Sequence, residues 1–180
     1  MSAVIGLDLS LTSTGIAVVV DGAIFGNTIK TGPWENDPYG IYRRRHIADE
    51  IAVWTLGAPD LIVMEGPVAR SNAVIGLAQL HGVALDRLRS AGMTHRLLIV
   101  SPSTLKKFAT GTGNAPKSAM AAHLVRRAGH LIEGVPGEDE ADAIWLALLG
   151  AQLLGTPLVD LPKTHTDHLT KLTLPERLNT

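Results

Sequence analysis

Apolar residues between positions 3 and 30 fall into short runs that are too brief for helices. They predict strands over 3–10, 15–20 and 23–30. Asp21-Gly22 separates the last two runs. Both positions of a two-residue hairpin turn need positive φ, and these residue types accept it. From 39 to 56 the period changes. Ile47, Ile51 and Trp54 recur at helical spacing, with Arg43, Arg44 and Arg45 near the start. The run at 61–64 is bounded by Pro59-Asp60 and Gly66-Pro67 and predicts a buried strand. A helix over 71–89 carries Val74, Leu77, Ala78 and Leu85 on one side, and 96–100 is another buried strand. Ser101-Pro102 opens a short helix to about 108, and a glycine-rich loop spans 110–114. Pro116 stands where a helix can begin, over 117–128. After the Pro136-Gly137 turn, a helix over 138–154 has its acids in the first turn, where the helix dipole favours them.

This order predicts an α/β fold: a mixed five-stranded sheet, its first three strands antiparallel, with helices on both faces. Residues 1–155 form one domain. The Thr-, Leu- and Pro-rich tail, 156–180, has no clear period and is expected to be mobile or to dock on a partner. There is no internal repeat.

The 180 residues are 46% apolar and 18% charged, enough for one packed core and incompatible with disorder throughout. The absence of cysteine excludes a disulfide scaffold, a zinc ribbon and thiol catalysis, and fits a reducing compartment. No basic segment precedes the first apolar run, and Asp8 interrupts it, so no secretory signal is visible and a cytoplasmic location is expected. The apolar stretch 143–159 is short for a membrane span of roughly 20 residues. It also carries Gly150, Gln152 and Gly155 and follows four acids, so it reads as a buried helix.

The formal net charge of −1 hides an asymmetry. From 87 to 132 there is no acid, while Arg87, Arg89, Arg96, Lys106, Lys107, Lys117, Arg126 and Arg127 give a formal +8. Glu133, Glu138, Asp139, Glu140 and Asp142 follow. Acids beside a basic block suit metal-bound carboxylates with phosphate-gripping cations nearby. Charge alone favours the plainer reading, a solvated basic face and an acidic helix start.

The positions of the acids say more. Asp8 lies within the apolar run IGLDLSLTSTGIAVV, and Glu65 ends LIVME. A buried carboxylate is costly unless paired, hydrogen-bonded or metal-bound. Taken singly, Glu65 also fits a solvent-facing strand end, and Asp8 fits a turn acid served by Ser10, Thr12, Ser13 and Thr14. In EDEADAIWLAL, Asp139 and Asp142 share a helical face at i,i+3, and Glu138 and Asp142 share one at i,i+4. Spacing does not choose between Asp139 and Glu138. The apolar run after them drives this helix into the core, so its first turn can meet Asp8 and Glu65. Oxygen-only ligands suit Mg²⁺ or Mn²⁺. Two such ions about 4 Å apart can activate water and stabilise the leaving oxygen of a phosphodiester. Clustered carboxylates repel one another without cations, so a metal requirement is expected.

GTGNAPKS, residues 111–118, nearly spells a nucleotide phosphate loop, but Pro116 lacks the N–H that the pattern needs and the segment follows a helix, so no nucleotide cofactor is expected. What remains is a loop entering a helix N-terminus, a place where anions bind, with Lys117 able to steady a phosphate or the attacking water. A plain surface lysine fits the same position. His165 and His168 are i,i+3 in the tail, where no rigid site is expected, and His81 reads as structural.

With these residues together, the chain resembles the RuvC family of Holliday junction resolvases, within the ribonuclease H-like superfamily, from about Val4 to Gly150. IGLDLSLTSTGIAVV looks like the family's first-strand motif with Asp8 as its aspartate. LIVMEGP is similar to the second motif with Glu65 as its glutamate. DEADAIWLAL looks like the last-helix D-x-x-D-A motif, which favours Asp139 over Glu138. LKKFATGTGNAPKS is similar to the basic segment and loop, placing lysines at Lys106 or Lys107 and at Lys117, with Thr112 and Asn114 toward DNA. The resemblance implies a ribonuclease H-like sheet and a homodimer with two metal sites per active centre. Such a dimer nicks two opposed strands of a four-way DNA junction, or of other branched DNA such as forks, leaving 5′-phosphate and 3′-hydroxyl ends. It implies no membrane partner. The aromatic that family members often carry shortly after the glutamate is missing from Gly66-Pro67-Val68-Ala69-Arg70, which leaves Arg70 and Asn72 to serve the DNA backbone. That divergence, with every acid kept, suits a phage-type or otherwise specialised member, acting in a prokaryotic cytoplasm or, if phage-encoded, in that of its host.

Three other readings compete. An actin-like or sugar-kinase ATPase shares the first motif but needs two similar domains. A non-catalytic junction binder gains nothing from four acids facing phosphate. A nuclease acting on RNA or RNA–DNA hybrid could use the same ligands, but no residue pattern identifies a 2′-hydroxyl reader.

Overall fold

Asp21 and Gly22 sit at φ 51° and 82°, the two positive values that a tight hairpin turn requires. They join β2 (Ser13–Val20) to β3 (Ala23–Lys30) in the computed structural model, which describes residues 2–67, 74–134 and 136–175. β1 (Ala3–Asp8) pairs antiparallel with β2 and parallel with β4 (Leu61–Glu65), which pairs parallel with β5 (Leu97–Val100). The order β3-β2-β1-β4-β5 is the mixed sheet that the hydrophobic pattern predicts.

Strand side chains alternate between faces, and each face has its own helical layer. Ile5, Leu7, Ile16, Ile62 and Met64 pack against α1 (Ile41–Trp54) and α2 (Val74–Ser90) through Ile47, Ile51, Leu80, Ala84 and Leu88. Val4, Ala17, Val19, Leu61 and Val63 pack against α5 (Glu138–Leu153). Behind α5 lie α3 (Pro102–Thr110) and α4 (Lys117–Ala128). α5 is therefore covered on both sides, and every residue from Ala141 to Ala151 is buried. Among the described residues no helix is long and apolar enough to cross a membrane.

Glycine sets how closely α5 approaches the sheet. A Cβ at Gly6 would overlap the Ala143 carbonyl oxygen, and one at Gly15 would overlap that of Asp139. The first turn of α5 thus lies directly on β2. Gly15→Ala is expected to push α5 outward and destabilise the protein by about 1–3 kcal/mol. Thermal unfolding tests this, and an unchanged melting temperature would contradict the close approach.

Several boundaries differ from the sequence pattern. α1 starts at Ile41, because Gly40 takes φ 64° and the Asp37 carboxylate caps the amides of Tyr42 and Arg43 at 3.2 and 3.0 Å. β1 stops at Asp8, because Ser10 is held in a turn by the Thr14 hydroxyl, which donates to its carbonyl at 2.6 Å. The expected start of α2 at 71 lies outside the described residues. Beyond Gly155, α6 (Lys163–Thr166) and a 3-10 turn, Asp167–Lys171, lie against the domain, with Val159 and Leu169 buried in the α5 layer.

Candidate active site

β1 and β4 run side by side in one direction, Val4 opposite Leu61 and Leu7 opposite Met64. One further step in that register brings Asp8 beside Glu65. Both side chains leave the sheet on the face that α5 covers, at the carboxyl ends of the two strands. Asp8 is also paired with Gly15 on β2, against which the first turn of α5 rests. The same contact that seats α5 therefore brings Asp139 and Asp142 to Asp8.

Asp8 and Asp142 are only 7% and 6% exposed. Asp8 and Glu65 share a hydrogen bond. Burial, then the Glu65 charge, holds the Asp8 carboxyl well above its usual range. Glu65 is itself raised, by burial and then by the Asp142 charge. Burial, followed by the Asp8 charge, pushes Asp142 up to about 7. Asp139 behaves differently: burial pulls it upward, but hydrogen bonds from Lys117 and Ser13 hold it below the ordinary value.

Lys117 is the first residue of α4. Its Nζ donates to Asp139 Oδ1 at 2.9 Å and stands 3.9 Å from Asp142 Oδ2. Burial works against the ammonium, but the Asp139 bond and the surrounding acids raise its pKa. Lys106 also acts on Glu65 and Asp142 across the cleft, whereas Lys107 lies near His168 of the tail. The structure brings Asp8, Glu65, Asp139, Asp142, Lys117 and Lys106 together. Glu138 is exposed and Asp139 takes the lysine bond. Thr112 and Asn114 are exposed on the loop between α3 and α4. Arg70 and Asn72 lie outside the described residues.

Pro116, at φ −72° and ψ 157°, opens α4 without an N–H, and the loop before it follows α3 rather than a strand. The phosphate-loop resemblance there does not extend to structure. Three further residues support the site. The Ser13 hydroxyl bonds Asp139. Trp145 Nε1 donates to the Met120 carbonyl at 3.0 Å and fixes the first turn of α4, hence Lys117, to α5. His81 places its two ring nitrogens 2.9 Å from the Leu77 carbonyl oxygen and 3.0 Å from that of Glu65, tying α2 to the end of β4. Ser13 was visible in the sequence only as one of four hydroxyls near Asp8. For Trp145 and His81 the sequence carried no functional signal, because each acts through a backbone carbonyl.

The donor set fits a hard divalent cation. All four carboxylates offer oxygen, and Asp142 Oδ1 is buried without a hydrogen-bond partner. Raised pKa values at Asp8, Glu65 and Asp142 report negative charge that the protein alone does not neutralise. Among the described residues no three acids or imidazoles stand close enough together, as they are placed, to hold a metal ion. The Lys117 ammonium holds Asp139 near Asp142, and the Asp8–Glu65 hydrogen bond holds the other two as a pair.

The family model described as crossover junction endodeoxyribonuclease RuvC matches residues 4–149. The chain belongs to the RuvC family. RuvC of Zymomonas mobilis is 33% identical over 155 residues, spanning 82% of this chain and 89% of the relative. RuvC of Corynebacterium diphtheriae is 29% identical over 149 residues, spanning 79% and 90%. Among solved structures, T. thermophilus RuvC in complex with a Holliday junction substrate superposes with TM-score 0.67 at 22% identity, covering 89% of this chain and 100% of that one. The yeast mitochondrial Holliday junction resolvase superposes with TM-score 0.52 at 17% identity, covering 81% and 76%. At these identities the two structures establish the fold, and it is the RuvC, ribonuclease H-like one. RuvC enzymes are metal-dependent nucleases, in keeping with the carboxylate cluster.

Proposed function

We propose that this RuvC-family chain is a metal-dependent endodeoxyribonuclease that resolves four-way DNA junctions by paired, symmetric nicks. The observation supporting this reading is the meeting of Asp8, Glu65 and Asp142 with the Asp139–Lys117 pair at the carboxyl ends of β1 and β4. Asp8, Glu65, Asp139 and Asp142 would hold the metal, two Mg²⁺ or Mn²⁺ ions per site. Bound there, the ions supply Lewis acidity and a water of lowered pKa. The four carboxylates orient the scissile phosphate by fixing where that charge lies. Lys117, at the edge of that donor set, would reach the phosphate oxygen or the attacking water. Lys106, the half-buried Lys107 and the exposed Thr112 and Asn114 receive the flanking backbone, and Arg70 and Asn72 do so from the segment after Glu65. The water oxygen bonds to phosphorus as the phosphorus–O3′ bond breaks, and a water proton passes to the leaving 3′ oxygen, giving 5′-phosphate and 3′-hydroxyl ends.

The described residues hold one such cluster per chain, and resolution needs two opposed cuts, so the working unit is a homodimer whose two-fold axis matches that of the junction. Its place of action is the cytoplasm of a prokaryote, where such DNA lies, or of the host if the chain is phage-borne.

The test offers purified protein a mobile four-way junction, a fork and a linear duplex, with Mg²⁺, with Mn²⁺ and with chelator, and maps the nicks. Paired nicks at symmetric positions of the junction, dependent on metal, are expected. Equal cutting of linear duplex, or preference for an RNA–DNA hybrid, would overturn the junction reading. Lys117→Ala is expected to slow single-turnover nicking by roughly 10²-fold. An unchanged rate would remove Lys117 from the mechanism.

A further inference from the structure

The segment beyond Gly155 lies past the 4–149 region that the family model matches, yet two of its histidines converge on one place, the back of α3. His165 is buried, and its Nδ1 lies 2.9 Å from the Phe108 carbonyl oxygen. A carbonyl only accepts, so Nδ1 carries the proton and donates. The same ring rests on Gly111, where an added Cβ would come within 2.8 Å of Nε2. His168 Nε2 donates to the Thr104 carbonyl at 3.1 Å. Leu169 fills the cluster that contains Phe108, and Arg127 of α4 donates to the Asp160 carbonyl at 3.0 Å.

These carbonyls belong to the helix that carries Lys106 and Lys107. The last turn of a helix leaves carbonyl groups without partners inside it. In α3 the Lys106 oxygen takes the Thr110 hydroxyl, the Lys107 oxygen takes the Gly111 amide, and the Phe108 oxygen takes His165. Gly111 then opens the exposed Thr112–Asn114 loop that runs to Lys117. The imidazole thus lies under the hinge between the two basic segments of the proposed DNA surface.

We propose that the tail is an internal strap and that His165 is a positioning residue. It holds the end of α3 and the loop to Lys117 in the arrangement that DNA meets, without touching DNA or metal. This inference rests on the nuclease reading for its functional half. Its structural half stands independently, because the strap acts before DNA arrives.

The experiment uses the full chain with His165→Ala, His165→Asn and wild type. Asn can bring its amide N–H near the position of Nδ1, and Ala offers no donor. Amide hydrogen exchange without DNA is expected to speed up about tenfold in peptides covering 104–117 of the Ala variant, leaving β1 and α5 unchanged, with Asn restoring much of the protection. In nicking assays the Ala variant should raise KM for the junction about tenfold at nearly constant kcat. The Mg²⁺-induced thermal shift should stay at the wild-type value. Exchange that rises uniformly over the whole chain, or not at all over 104–117, overturns the strap. A local rise in exchange with unchanged KM also overturns His165 as a positioning residue. Failure of wild type to cut junctions overturns the nuclease reading and leaves the exchange result to judge the strap.

Discussion

Asp8→Asn will leave a folded protein that still binds four-way junctions and nicks them at least about 10³-fold more slowly, a loss of several kcal/mol in transition-state stabilisation. Asparagine keeps the volume of Asp8 and can still donate to Glu65, so the strand end and its hydrogen bond survive. The charge does not survive. Asp8 stands beside Glu65 and within the field of Asp142 and Asp139, where no other group can replace its oxygen. Binding should hold or tighten slightly, because one negative charge facing phosphate is gone. The measurement pairs a gel-shift titration in chelator with single-turnover nicking in saturating Mg²⁺. Glu65→Gln should behave alike, while Glu138→Gln, on the exposed side of α5, should match wild type. Nicking by Asp8→Asn within tenfold of wild type would end the proposed role of the cluster.

What the sequence disclosed follows from which forces act locally. Asp8 and Glu65 were legible because each interrupts or ends an apolar run that demands burial. Their being neighbours was not, since it comes from the parallel register of β1 and β4, strands separated in the chain by the β2–β3 hairpin and α1. Helical geometry alone admitted Glu138 as readily as Asp139. The choice is made by Gly15, which lets one side of α5 rest on β2. The same holds for Lys106 and Lys107: consecutive helical residues diverge, and the tail beside Lys107 leaves Lys106 toward the acids.

The basic block misled in another way. Its summed charge suggests one surface, but Arg96 donates to the carbonyls of Ala58 and Pro59, Arg127 to that of Asp160, and Arg87 pairs with Asp49 at 2.8 Å. These guanidinium groups serve backbone and neighbouring helices. The tail was unreadable because its short helical pieces are anchored by single buried residues and histidine–carbonyl bonds, which produce no period.

The metal-free protein should lose stability as pH rises from about 5 to 8, and Asp142→Asn should abolish much of that loss. Asp142 titrates near 7 when folded against 3.8 when unfolded. Between those values the folded state binds the extra proton, so unfolding becomes easier as pH rises. Asp8 and Glu65, also raised, act in the same sense. Asp139, lowered by Lys117, acts oppositely, but its contribution is lost only as pH falls below the ordinary carboxylate range. His123 and His168, both lowered, favour stability as pH rises toward 6.5, so the comparison between wild type and variant isolates the carboxylate. The difference from 3.8 to about 7 corresponds to at most about 4 kcal/mol for Asp142. That figure already contains the opposing pull of Lys117, and as an upper bound it implies a gain in melting temperature for Asp142→Asn of about 5–10 °C at pH 8 and little at pH 5. Added Mg²⁺ should stabilise wild type at pH 8 far more than at pH 5, where protons compete for the same oxygens, and should stabilise the Asn variant weakly at both. Parallel melting curves for the two proteins across this pH range would show that Asp142 carries no uncompensated charge. The cluster would then have no physical need for the cation on which the proposed strand cutting depends.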